Sequence, residues 1–333
     1  MSIGATDQIL VGGGEDAVES LELVGGEIQA RSPWQVFWRR FRQDRVAMVS
    51  GCFVIFLIIV AIAAPLIVSI LGLPGPNVND SNALDVFGSP TGPSLAHPLG
   101  VDQLGRDILS RIIYGTRVSL TVGIVGTAVS AVIGTIIGLL AGFYRGWVDT
   151  LLMRTVDVFL SFPVLVLGLG IGAACAVRGC LSGLIQPGIP TVIFIIAITS
   201  FTYIARIVRG QVLSLREKEF IEAARSLGAS NTRILFREML PNVMAPLIVY
   251  SSLLIPINIL FEAYLSFLGV GVRPPTASWG QMISDAGNFI LGGTNAWWYM
   301  LFPGLALLLT VLAFNLMGDG LLDALNPRGD RTR

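Results

Sequence analysis

A single histidine, His97, a single lysine, Lys218, and three cysteines, Cys52, Cys175 and Cys180, bound the chemistry open to this sequence. No cysteine pair has C-x-x-C spacing, and one histidine cannot complete a His/Cys metal site. A nucleotide-binding P-loop needs G-x-x-x-x-G-K-[ST], with the lysine reaching the phosphates. Lys218 is followed by Glu219, so no P-loop is built here and no cofactor is expected. The chemistry that remains belongs to carboxylates in apolar surroundings: Asp157, Glu262, Asp319 and Asp323. Paired at mid-depth in a membrane, such groups would relay protons. Near helix ends they would hold helices together.

The elements that position these residues follow from composition. The chain is 53% hydrophobic and 13% charged, against roughly 25% charged in soluble domains. A bilayer core of ~30 Å takes about 20 apolar residues of helix to cross. Six stretches qualify: Val46–Leu71, Val118–Ala141, Leu151–Val177, Ile189–Ile207, Val243–Val270 and Trp298–Gly318. The expected fold is all-α with six transmembrane helices. Residues 1–33 are Gly-rich and acidic, without the basic and apolar regions of a signal peptide. They read as a flexible cytoplasmic tail.

Arg and Lys placement sets the direction of insertion. On one side of the six stretches fall 17 basic residues, including Arg39, Arg145, Arg209, Arg233 and Arg328; on the other fall only Arg106, Arg111, Arg117, Arg178 and Arg273. Both termini are therefore expected in the cytoplasm. Trp34, Trp38, Trp147, Trp297 and Trp298 lie at span ends, as an aromatic belt requires. The zero net charge gives no sign of nucleic-acid binding. Two long external connections, Gly72–Arg117 and Gly271–Trp297, are expected to carry short surface helices, one of them from Val101 into the second span. Cys175 and Cys180 lie at an external helix end, and a local disulfide there stays open.

Depth assigns the carboxylates. Arg154 and Asp157 are i, i+3, a pairing distance near the cytoplasmic end of span 3. Asp319 and Asp323 are i, i+4 near the cytoplasmic end of span 6, within reach of arginines from the 4–5 loop or a partner. Glu262 lies about 28 Å along its helix from Val243 at ~1.5 Å per residue. That is near the external mouth, where it meets either a cargo amino group or a hydrogen-bonding group of a second subunit. Asp102, Arg106, Asp107 and Arg111 read as a surface helix network.

The 4–5 loop, residues 216–242, reads REKEFIEAARSLGASNTRILFREMLPN. Phe220, Ala224 and Leu227 form one stripe at i, i+4 and i+7. Ala223 and Ala224 admit a close backbone. Gly228 suits a left-handed helix end, Ser230 or Asn231 a cap, and Pro241 a stop before span 5. This describes either an amphipathic interfacial loop or, given its near balance of charge, a surface for a protein partner.

Glu222-Ala223-Ala224, then Gly228, then Leu240-Pro241 resembles the EAA loop of ABC importer permeases, with Glu238 where that pattern has an apolar residue. The run from His97-Pro98-Leu99-Gly100 to Tyr114-Gly115, the Glu262-to-Gly269 segment and the Phe314-to-Ala324 segment are similar to the C-type permease of dipeptide and oligopeptide importers. The resemblance implies a type I importer fold, with residues 34–95 as an N-terminal permease segment, 96–322 as the transmembrane domain and 323–333 as a cytoplasmic tail. It implies that Glu222, Ala223, Ala224, Gly228, Leu240 and Pro241 couple the chain to two separate ATPases. It also implies a homologous second permease, an external solute-binding protein and a peptide cargo, with nickel, glutathione or another peptide-like solute as alternatives. A proton-driven transporter would need paired mid-depth carboxylates, and an intramembrane enzyme a Ser/His, Asp/Asp or His/Glu constellation; the sequence places neither within the bilayer. The topology is checked by labelling with an impermeant thiol reagent: Ser230→Cys should react from the cytoplasm and Ile283→Cys from outside. The reverse pattern would overturn the orientation.

Overall fold

The computed structural model describes residues 33–291 and 295–325. The expectations for the N-terminal tail and for Arg328, Arg331 and Arg333 lie outside the described residues. Among the described residues there is no strand ladder, only three isolated bridges in loops. An amphipathic helix α1 (Pro33–Gln43) leads through Asp44 into α2 (Arg45–Ile70). The other elements are α3 (Ile108–Tyr144), α4 (Gly146–Ser161), α5 (Val164–Ala174), α6 (Ile189–Leu215), α7 (Glu219–Ser226), α8 (Asn231–Phe267), α9 (Trp279–Leu291) and α10 (Trp297–Leu325). Five of these (α2, α3, α6, α8 and α10) are each long and apolar enough to cross a membrane.

The third span departs from expectation. Leu151–Val177 is not one rod; α4 and α5 meet at an 87° bend. Phe162 is extended (φ −88°, ψ 136°) and Pro163 follows it. A proline disfavours helix at the preceding residue and has no N–H to continue the ladder. The apolar stretches located the other spans but not their ends. Helices α3 and α8 run well beyond the expected segments, because hydropathy marks only the part solvated by lipid.

Among the described residues, helices α3 and α6 share the most extensive contact of any helix pair. Gly126, Ser130, Gly134, Gly138 and Gly142 recur every four residues along α3. They form a groove of small residues in which Ile196, Ile204, Val208 and Val212 of α6 lie. A Cβ on Gly134 would sit 2.7 Å from the Phe201 carbonyl oxygen, and one on Gly138 2.6 Å from that of Ala205. In lipid, where tails are as apolar as leucine, such close backbone approach is a main source of helix association. Ser130 Oγ lies 2.8 Å from its own Gly126 carbonyl and 3.3 Å from the Ile196 carbonyl across the interface.

The external cap is a buried polar loop rather than a surface helix network. Helix α3 starts at Ile108, not at Val101, with Asp107 as its cap: the carboxylate accepts from Ser110 N at 2.7 Å. His97 Nδ1 lies 3.0 Å from the same carboxylate. Asp102 accepts from Arg106 Nε at 2.6 Å and from the backbone N–H groups of Leu104 and Arg106. Arg111 Nη1 donates to the Pro76 carbonyl at 3.0 Å. Asp102, Asp107 and Arg111 are all buried, so the loop is stitched to the start of α3. Of the surface helices expected outside, α9 is present in the second connection. The first holds only a short 3-10 turn, Ser81–Ala83. Cys175 and Cys180 are joined by a disulfide at the end the charge pattern places outside, where thiols are oxidised.

The α3–α6 groove predicts an overpacking effect. Gly138→Leu should lower the thermal midpoint of the purified protein by several degrees, since overpacking a tight site costs roughly 1–3 kcal/mol. Gly210→Leu on α6, where a Cβ would meet nothing within 4 Å, should leave it unchanged.

Candidate functional site

The cytoplasmic ends of α3, α6 and α8 form a socket, and α7 is plugged into it. Ile221 is 0% exposed. It belongs to a cluster with Leu139 and Phe143 of α3, Val208 and Val212 of α6, and Ile234, Leu235 and Met239 of α8. Burying one isoleucine side chain is worth about 1.5–3 kcal/mol, so a single residue clamps this short helix to three spans. The Phe220–Ala224–Leu227 stripe does not supply the anchor. Phe220 is 41% exposed and Leu227 88% exposed, while Ala224 is half-buried against the cluster. Glu222 and Ala223 are exposed beside them.

Both ends of α7 are fixed by polar contacts. Before it, Arg216 Nη1 donates to the Phe143 carbonyl, and Arg145 Nη2 reaches Glu217 Oε1 at 2.8 Å. Burial, then the neighbouring Arg145 and Arg225, lower the Arg216 guanidinium below the usual arginine value. After it, Gly228 takes φ +78°. The N–H groups of Gly228 and Ala229 close back on the carbonyls of Arg225 and Ala224. This left-handed ending suits glycine, which has no Cβ to clash. Ser230 Oγ then accepts from Arg233 N at 3.4 Å and starts α8.

Pro241 does not stop that helix, contrary to expectation. The segment Ile234–Met239 is π-helical, with Leu240 N bonded to Leu235 O, and the chain continues through Pro241 to Phe267. A π-turn adds one residue per loop of hydrogen bonding, which accommodates the missing proline donor. It also shifts the buried face to Ile234, Leu235 and Met239, leaving Glu238 half-buried. Met239 thus fills the core beside the position where the EAA pattern has its apolar residue. Leu240 packs partly against the same cluster, and Pro241 is exposed.

The four carboxylates are dispersed. Asp157 pairs chiefly with Arg206 of α6 at 2.6 Å; the expected Arg154 partner is 3.9 Å away. A stronger pair went unseen in the sequence: Arg209 Nε and Nη2 grip Asp149 at 2.5 and 2.6 Å. The arginines at 206 and 209, one helical turn apart, were the only signal for it. Asp319 and Asp323 are exposed on α10. Neither meets an arginine of the α7 region, and among the described residues neither forms an ion pair. Glu262 is near the external end of its helix, as expected, but it faces inward. It is 0% exposed and accepts from Ser119 Oγ at 2.9 Å and Ser266 Oγ at 2.7 Å. Both contacts come from its own chain, Ser119 on α3 and Ser266 on α8.

A cavity of about 480 Å³ opens between α5, α6 and α8. None of the four carboxylates lines it. Its wall carries Tyr203, Tyr250 and Tyr264, with Ser200 and Asn258 at its base.

Residues 134–331 match the family model described as binding-protein-dependent transport system inner membrane component, and residues 32–83 match the N-terminal transmembrane domain of oligopeptide transport permease C. The glutathione transport system permease GsiD of Pectobacterium atrosepticum is 43% identical over 298 residues, covering 90% of this chain and 92% of its own. GsiD of Shigella boydii is 44% identical over 301 residues, with 90% and 92% covered. An inward-facing structure of the MetNI methionine ABC transporter superposes with a TM-score of 0.54 at 21% identity, over 66% of this chain and 98% of its own; at that identity it speaks to the fold alone. A helical bundle with five single spans and one bent pair, a socketed cytoplasmic helix and relatives at this identity and coverage lead to one assignment. The chain belongs to the family of binding-protein-dependent transport inner membrane components and is a polytopic, non-catalytic permease subunit of an ABC importer.

Proposed function

We propose that this subunit forms half of a translocation path for a short peptide or peptide-like solute, and that α7 is the helix through which separate ATPases move it. The observation that carries this reading is the construction of α7. One side, through Ile221, is locked into α3, α6 and α8. The other side presents Phe220, Glu222, Ala223 and Leu227 to the cytoplasm. An exposed leucine and phenylalanine on one capped helix, rimmed by charged residues, form the kind of apolar patch that marks a protein-interaction surface. With no P-loop in the sequence, the energy for transport comes from another chain. Glu222, Ala223 and Ala224 would seat in an ATPase cleft. Gly228 would set the turn, and Leu240 and Pro241 would carry the motion into α8 as a rigid body.

The proposed assembly contains a homologous second permease, two ATPases and an external solute-binding protein. The proposed cargo class is di- and oligopeptides, including glutathione-like tripeptides. The GsiD relatives, named for glutathione transport, support the glutathione-like end of that range.

Two substitutions test the coupling role in the assembled transporter. Gly228→Pro replaces a residue at φ +78° with one held near −65°, and Glu222→Lys reverses an exposed charge. Both should leave membrane insertion intact, reduce ATP-driven uptake of labelled glutathione or dipeptide into proteoliposomes at least tenfold, and spare basal ATP hydrolysis. Normal uptake by both variants would refute the role.

A further inference from the structure

The cavity between α5, α6 and α8 has a largely apolar wall, built on Val164, Leu253, Leu254 and Phe261, from which three tyrosines project at different depths. Tyr203 lies midway along the 27-residue α6, about 21 Å from the external end at ~1.5 Å per residue. It is 52% exposed in the isolated chain. Tyr250, Ile257 and Tyr264 follow at seven-residue intervals on one face of α8, and all three are exposed. Among the described residues no hydrogen-bond partner is within reach of the three tyrosine hydroxyls. A phenol hydroxyl without a partner is poorly tolerated in hydrocarbon, where unsatisfied polar groups carry a large desolvation cost. Acyl chains would leave the hydroxyls of Tyr203 and Tyr250 unsatisfied, whereas water in a passage would not.

Its base is polar but neutral. Ser200 Oγ lies 2.8 Å from Asn258 Oδ1, and Asn258 Nδ2 donates to Thr127 Oγ1 of α3 at 2.8 Å. No Asp, Glu, Lys, Arg or His lines the cavity. The nearby ionisable groups are used elsewhere: Glu262 is buried against Ser119 and Ser266, and Arg206 is paired with Asp157.

We infer that this wall is the subunit's share of the aqueous passage, and that it selects cargo by shape and stacking rather than by charge. The inference deepens the proposed role as half of a translocation path and rests on it. The cargo class is a hydrated solute rich in amide groups. Its amides exchange water for the hydroxyls of Tyr203, Tyr250 and Tyr264, and its flat groups slide over their rings. A neutral wall holds no counter-charge that would trap an ionised carboxylate or ammonium group on its way through.

The test uses the assembled transporter with Cys52, the exposed free thiol on α2, replaced by alanine. Tyr203→Cys, Tyr250→Cys and Tyr264→Cys are treated with an anionic sulfonatoethyl and a cationic trimethylammonioethyl methanethiosulfonate. Ile257→Cys, on the same wall, stands in for any tyrosine variant that fails to assemble. Both reagents should modify each position, at rates within about threefold of one another after normalising to a free thiol. Ile62→Cys, on the exposed face of α2, should react with neither. A preference above tenfold for one charge would overturn the neutral-wall inference. Protection of Tyr203→Cys and Ile257→Cys from both reagents would overturn the aqueous exposure itself. Labelling needs neither cargo nor ATP hydrolysis. A failure here is thereby distinguished from a failure of coupling, which only the uptake assay reads.

Discussion

Helices α3 and α6 can touch backbone to backbone because α3 carries a small residue every fourth position from Gly126 to Gly142, and the rest of the subunit is arranged around that contact. A bilayer supplies little hydrophobic force to press helices together, so packing distance carries the association. The ladder ends at Gly142, where a Cβ would stand 2.8 Å from Val212. Immediately beside it, Phe143 and Val212 form two walls of the socket that receives Ile221. The close contact in the membrane and the socket in the cytoplasm are therefore one continuous packed structure. A displacement applied to α7 would pass to α3 and α6 through Ile221 and the side chains packed around it.

The same continuity explains the polar pairs around the socket. Asp149–Arg209 and Asp157–Arg206 tie α4 to α6 in two rungs, and Arg145–Glu217 ties the start of α4 to the approach of α7. These pairs are partly or fully exposed, and such pairs are individually worth about 0–1 kcal/mol. Their effect is to set the register of helices that are already packed. On the external side the buried Asp102–Arg106–Arg111 network does the corresponding work for the loop leading into α3.

Much of this was legible in the sequence because it depends on local rules. Apolar length located the spans, basic residues set their direction, and Gly228 with Ser230 marked the turn and cap around α7. The features that were missed depend on which neighbour a residue meets. Helical periodicity alone does not show that Ile221, rather than Phe220 or Leu227, points into the socket; that depends on where α3 and α8 end. Pro241 read as a stop because a local rule cannot anticipate a π-turn that absorbs it. Glu262 read as a mouth residue because its depth was visible but its azimuth was not. The three tyrosines drew no notice, since aromatic residues in apolar spans are common. Their meaning came from exposure on one wall without a hydrogen-bond partner, with Tyr203 midway along its helix.

The central claim is that α7 moves as part of the span bundle and not relative to it. Spin labels at Ser226 on α7 and Gln211 on α6, both exposed, permit a pulsed electron–electron distance measurement in the assembled transporter. The account predicts the same distance distribution, within about 2 Å, in the nucleotide-free and ATP-trapped states; truncating the anchor in Ile221→Ala should broaden it. A shift of the α7–α6 distance on ATP binding in the otherwise intact protein would contradict the account, because α7 would then be a hinge and not a handle.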